Sequence, residues 1–143
     1  MIPLYGLEST GLSELVWDSA QEGTAYTLGD SSVHVSERRT WTAEQLLTTA
    51  AQASIMTGFL GLAEAAGVHV SGYMSAGSVE YRGKGPGIAC IRVRPCAVVD
   101  APERVDEARL LLERARRESP IGLSLNIPIR MDATVVATEP CAP

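Results

Sequence analysis

The sequence predicts an α+β domain in which two helices pack on an antiparallel sheet, and three observations predict it. A proline-free stretch from Thr40 to Gly67 is dense in Ala and Leu, as a helix buried on most of its circumference would be. Apolar and polar residues alternate in several short runs on either side of it, the period of strands with one face on a core. A second helical stretch after Asp100 carries one apolar stripe among charges. A chain of 143 residues fits a single domain, residues 1–143, long enough to bury a core.

Composition narrows the functional classes. The net charge of −5 argues against a nucleic-acid partner, which would call for a basic patch. Aromatics make up only 5% of the chain, so packing rests on Ala, Val, Leu and Ile. The opening M-I-P-L-Y-G-L is too short and uncharged for a signal peptide, and the cytoplasm is the expected compartment. Cys90, Cys96 and Cys141 are odd in number and not spaced as zinc ligands, which predicts reduced thiols, two of them packed in a strand. His34 and His69 have no acidic or Cys partner at ligand spacing, so neither a metal nor a cofactor is expected.

Residues 1–11 read as an irregular arm, and Leu12–Trp17 as a strand. Thr24–Leu28 and Val33–Ser36 flank G-D-S-S as a hairpin. Arg38 and Arg39 follow, a basic pair whose plain reading is a solvated face. Thr42 caps the long helix, Gln45 completes a capping box, and Gly67 suits its left-handed end. The helix runs about 24 residues, roughly 36 Å. Glu44 and Glu64 bracket it and Gln52 interrupts its middle, which argues against a membrane span. Because it is apolar nearly all round and one sheet covers only one side, a second copy of the chain is the expected cover, making an obligate homodimer.

Beyond the helix, Val68, Val70, Gly72, Met74 and Ala76 are expected on the core, alternating with His69, Ser71, Tyr73 and Ser75. A second strand follows at Ser78–Arg82, and R-G-K-G-P-G is a turn, without the Ser or Thr and the helix of a phosphate loop. Ile88–Val99 is a strand in which Pro95 suggests an edge or a bulge. Asp100 is the expected cap of the second helix, with Pro102 in its first turn and Val105, Ala108, Leu111, Leu112 and Ala115 as its stripe. Ser119-Pro120 ends it, Ile127–Val135 is a final strand, and residues 138–143 form a loose tail.

Two segments resemble a known family. A-E-Q-L-L-T-T-A-A-Q-A-S-I-M, from Ala43 to Met56, is similar to the P-E-Q/E-L-L-x-A-A-x-A-x-C-F signature of the OsmC/Ohr proteins, thiol-dependent hydroperoxide reductases. R-E-S-P-I-G-L-S-L, from Arg117 to Leu125, resembles that family's C-P-x-S-x-x-L. The resemblance implies an OsmC-like fold, an intertwined homodimer with a long central helix, and sites where subunits meet.

It also places the peroxidatic cysteine at Ser54 and the resolving cysteine at Ser119, so both sulfurs are replaced by hydroxyls. The family reaction needs a thiolate that becomes a sulfenic acid and then a disulfide, a route oxygen cannot follow. Glu44 matches the family's helix-start carboxylate, and the resemblance implies an arginine earlier in the chain, for which Arg38 and Arg39 are the candidates, without the family's motif around them. Two readings remain open. In one, Ser54, Ser119 and Glu44 furnish a non-redox site, binding or catalytic, for a small, largely apolar organic molecule. In the other, the chain is an organic hydroperoxide reductase, or an engineered Cys-to-Ser variant of one.

Overall fold

The computed structural model describes residues 13–19, 21–27, 31–36 and 41–138. The chain divides into two compact units, Met1–Leu46 and Leu47–Pro143. The arm expected at 1–11, Arg38, Arg39 and Cys141 lie outside the described residues.

In the first unit, β1 (Ser13–Ser19), β2 (Glu22–Thr27) and β3 (Ser32–Ser36) form an antiparallel meander. It is the predicted strand and hairpin with longer arms. The start of α1 (Ala43–Ala65) also belongs here, and its capping box forms as expected. The Gln45 N–H donates to Thr42 Oγ1 at 3.1 Å, and the Thr42 N–H donates to Gln45 Oε1 at 3.0 Å.

In the second unit, α1 ends on a Schellman motif. Gly67 takes φ of 71°, the Val68 N–H reaches Ala63 O at 2.9 Å and the Gly67 N–H reaches Glu64 O at 3.1 Å. β4 (Val70–Tyr81) and β5 (Ile88–Val99) form a long antiparallel pair joined by the predicted turn. After a 3-10 turn at Pro102–Arg104 come α2 (Val105–Glu118), the short α3 (Pro120–Ser124), β6 (Ile129–Met131) and β7 (Thr134–Ala137). The α+β class holds, but the sheet is mixed rather than antiparallel. α2 carries the chain back across the sheet, so β6 and β7 both run parallel to β5.

Four local expectations are corrected. The β4 face is inverted beyond Val70, because the register slips between Val70 and Gly72 and the extra residue reverses side-chain parity. Tyr73 therefore packs on Phe59, ring centroids 5.9 Å apart, while Met74 points to solvent. Pro95 lies in the central strand, not at an edge. The Ile91 N–H donates to Pro128 O on the β6 side, so two-residue alternation aims the Pro95 nitrogen the same way. There it meets the gap between β6, paired through Val93, and β7, paired from Cys96, where no ladder donor is needed. Asp100 does not cap α2; its carboxylate pairs with His69 Nδ1 across the strand ends. The expected final strand is broken at Asp132-Ala133 into β6 and β7.

Helix α1 buries one stripe, Thr48, Ala51, Ile55, Phe59 and Ala63, at the spacing of a helix lying on a sheet. Beneath it are Ile91, Val93, Ala97 and Val99 of β5, with Ala108, Leu112 and Ala115 of α2 completing the core. Ala53, Thr57, Gly58, Leu60 and Gly61 stay exposed, so a single chain covers less of this helix than its composition predicts. By length and composition alone α1 is also apolar enough to cross a membrane.

Candidate functional site

The two serines singled out by the sequence meet. Ser54, in the middle of α1, and Ser119, at the junction of α2 and α3, lie 65 residues apart in the chain with their Oγ atoms 2.7 Å apart. Ser119 is held in two ways. Its N–H donates to Arg116 O as α2 ends, and its Oγ accepts from the Gly122 N–H at 3.2 Å as α3 begins. Only 1% of Ser119 is exposed, and its hydroxyl is fixed as the N-cap of α3, with Pro120 in the first turn.

The pair heads a cleft of about 290 Å³ between α1 and the α2–α3 junction, lined also by Thr57, Gly58, Gly61, Leu62, Ala115, Glu118 and Pro120. Thr57 donates to Ala53 O at 2.9 Å, leaving its oxygen lone pairs as an acceptor. Glu118 is paired with Arg114 at 2.9 Å. The two glycines keep the helix surface low, and an added Cβ at Gly61 would meet nothing within 4 Å. The reading of the sequence missed Thr57, Gly58, Gly61 and Leu62, yet the signal was there. They follow Ser54 by three, four, seven and eight residues and so share its helix face.

Of the other expected residues, Arg38 and Arg39 lie outside the described residues. Glu44 lies ten residues before Ser54 in the sequence, in the first turn of α1 and within the first unit. Cys90 and Cys96 occupy the alternate positions of β5, on the face turned away from the core stripe. Cys90 Sγ donates to Glu80 Oε2 at 3.2 Å, and that carboxylate, followed by burial, pushes the thiol pKa up. A peroxidatic thiol needs the opposite shift. A second, larger cavity of about 380 Å³ opens at the end of α1 around Leu60, Glu64, Val68 and His69. Its polar side chains are Glu64 and His69, the latter paired with Asp100. Among the described residues no cluster of His, Cys, Asp and Glu could hold a metal ion.

Two hydroxyls at hydrogen-bonding distance, one of them buried, can orient a ligand's polar atom but supply no sulfur to reduce a peroxide. The Ser54–Ser119 pair has no base among the residues that line the cleft other than Glu118, already engaged by Arg114.

No family model matches the sequence, and no curated protein matches it. Solved structures do. An OsmC-like protein of unknown function from Vibrio cholerae superposes with a TM-score of 0.74 at 15% identity, covering 87% of this chain and 99% of that one. An OsmC-like protein from Mycoplasma pneumoniae gives 0.77 at 12% identity, over 91% and 99% of the two chains. An organic hydroperoxide resistance protein from Elizabethkingia anophelis gives 0.67 at 14% identity, over 94% and 100%. At these identities the likeness is one of architecture, and it covers nearly the whole of each relative: the chain has the OsmC-like fold.

Proposed function

We propose that this chain is an OsmC-like homodimer that binds or transforms a small, largely apolar organic molecule without thiol redox chemistry, in the cleft headed by Ser54 and Ser119. The observation that carries the reading is the 2.7 Å contact between the two hydroxyls at a cleft that is otherwise mostly aliphatic and glycine. The exposed apolar side of α1 supports a second copy as its cover. The family resemblance assigns Glu44, Arg38 and Arg39 to the same function as its carboxylate and cations. Unpaired Cys90 and Cys96 are consistent with a cytoplasmic setting.

The experiment is a fragment screen read by backbone amide NMR on the wild type and on Gly61→Leu. The variant fills the cleft while favouring the helix, since Leu exceeds Gly in helix propensity by roughly 0.8 kcal/mol. Hits that shift Ser54, Gly58 and Ala115 amides in the wild type and not in the variant are expected, with sedimentation giving twice the chain mass for the wild type. Hits that map elsewhere, or turnover of cumene hydroperoxide with a dithiol and matching loss of free cysteine, would overturn the reading; the latter would install the hydroperoxide reductase in its place.

A further inference from the structure

The hydrogens of the serine pair can be assigned, and the assignment selects a ligand class. Ser119 Oγ accepts from the Gly122 N–H, and the one other partner its hydroxyl has among the described residues is Ser54 Oγ. If Ser54 were the donor, Ser119 Oγ would accept twice and its own hydrogen would be buried with no acceptor, in a residue 1% exposed. Leaving a buried donor unmade is the costlier arrangement. The order is therefore Gly122 N–H to Ser119 Oγ, then Ser119 O–H to Ser54 Oγ. The Ser54 hydroxyl makes no other hydrogen bond among the described residues, so its own hydrogen is released toward the cleft.

The rest of the lining sharpens the selection. Thr57 spends its hydrogen on the carbonyls of Ala53 and Ser54. That leaves the Ser54 hydroxyl as the free side-chain donor among the described lining residues. Among the described residues no Lys, Arg or His lines the cleft, and the one charged group that does is the Glu118 carboxylate, already held by Arg114. An anion would meet a carboxylate and no cation. An ammonium would find acceptors in Thr57 Oγ1 and in a carboxylate that Arg114 already neutralises, but it would leave the Ser54 hydrogen unmet.

We infer that the cleft selects a neutral molecule presenting a carbonyl-type oxygen to Ser54 Oγ, with its apolar body against Gly58, Gly61, Leu62 and Ala115. Ser119 acts as a positioning residue that fixes the direction of the Ser54 hydrogen. The volume of about 290 Å³ corresponds to the share of roughly ten waters, a ligand of about that many heavy atoms. This inference rests on the proposed function, that the cleft is a ligand site.

The test uses four probes on one skeleton, 4-phenyl-2-butanone, butylbenzene, 4-phenylbutanoate and 4-phenylbutylamine, titrated into the full chain and followed at the Ser54, Gly58 and Ala115 amides. The ketone is expected to bind about tenfold more tightly than butylbenzene, the worth of one net hydrogen bond, with the acid and amine weaker than both. Ser54→Ala should reduce the ketone to the affinity of butylbenzene and leave butylbenzene unchanged. Because that variant strands the Ser119 hydrogen, Ser54→Ala/Ser119→Ala, which removes both hydroxyls, is read beside it and should show the same loss of preference. A carboxylate or amine that binds the cleft as well as the ketone, or a ketone indifferent to both variants, overturns the inference and leaves the cleft as a ligand site. No cleft shift with any of the four overturns the inference and the proposed function together.

Discussion

Replacing both serines by cysteine should close a disulfide without disturbing the fold. The two Oγ atoms are 2.7 Å apart, an S–S bond is about 2.04 Å, and C–S bonds are longer than C–O bonds, so the sulfurs need to close by less than an ångström. The bridge would span 65 residues, and the loop-closure relation then removes about 14.6 cal/mol/K from the unfolded chain, about 4 kcal/mol at 25 °C. Against this stands the loss of the Ser119 cap on the Gly122 N–H, about 1 kcal/mol. The net gain of about 3 kcal/mol should raise the urea midpoint by roughly 1–2 M in Ser54→Cys/Ser119→Cys, and dithiothreitol should abolish the gain. Peptide mapping under non-reducing conditions, after exposure to oxidised glutathione, must find the 54–119 pair. If the introduced thiols stay free, or pair with Cys90 or Cys96, the contact on which the site is built is wrong.

Two further outcomes follow from groups outside the cleft. The Tyr73 hydroxyl is buried with no partner among the described residues, and burial pushes its pKa from 10.0 up to about 12. The unfolded chain ionises this phenol first, so its contribution is complete below pH 10 and is lost as pH rises toward 12, by at most about 2.7 kcal/mol. Tyr73→Phe should add about 1 kcal/mol at pH 7 and flatten that alkaline loss in urea titrations; parallel pH curves for the two proteins would refute it. At pH 8, iodoacetamide should alkylate Cys90 more slowly than Cys96, since Cys90 is buried and its thiolate is opposed by Glu80. Glu80→Gln should speed Cys90 severalfold in peptide-resolved mass spectrometry, and an unchanged rate would remove Glu80 from the account.

What the sequence made legible was local. Thr42, Gln45 and Gly67 mark the ends of α1 because each acts on backbone groups within a few residues of itself. The stripe of α2 and the alternation of β5 are equally short-range patterns. Alternation alone puts Met74 on the core, but one extra residue near Ser71 reverses the parity that alternation depends on. The direction of β6 and β7 depends on the crossover through α2, which no property of those strands encodes. Asp100 carries good cap chemistry, yet His69, across the strand ends, takes its carboxylate. The meeting of Ser54 with Ser119 was readable only through resemblance, since nothing in either segment alone points to the other.

The interruption at Pro95 has a mechanical side. Because the third rung of the sheet is supplied by two short segments with an unbonded seam between them, β6 and β7 are separate latches on one rail. β6 is fastened through Val93 O to the Asp132 N–H and β7 through Val99 O to the Thr138 N–H, so either can let go while the other holds. β6 adjoins α3, through Ile129 against Gly122, whose N–H orders the Ser119 oxygen. Loosening of that latch alone would slacken the hydroxyl pair while leaving the long β4–β5 ribbon intact.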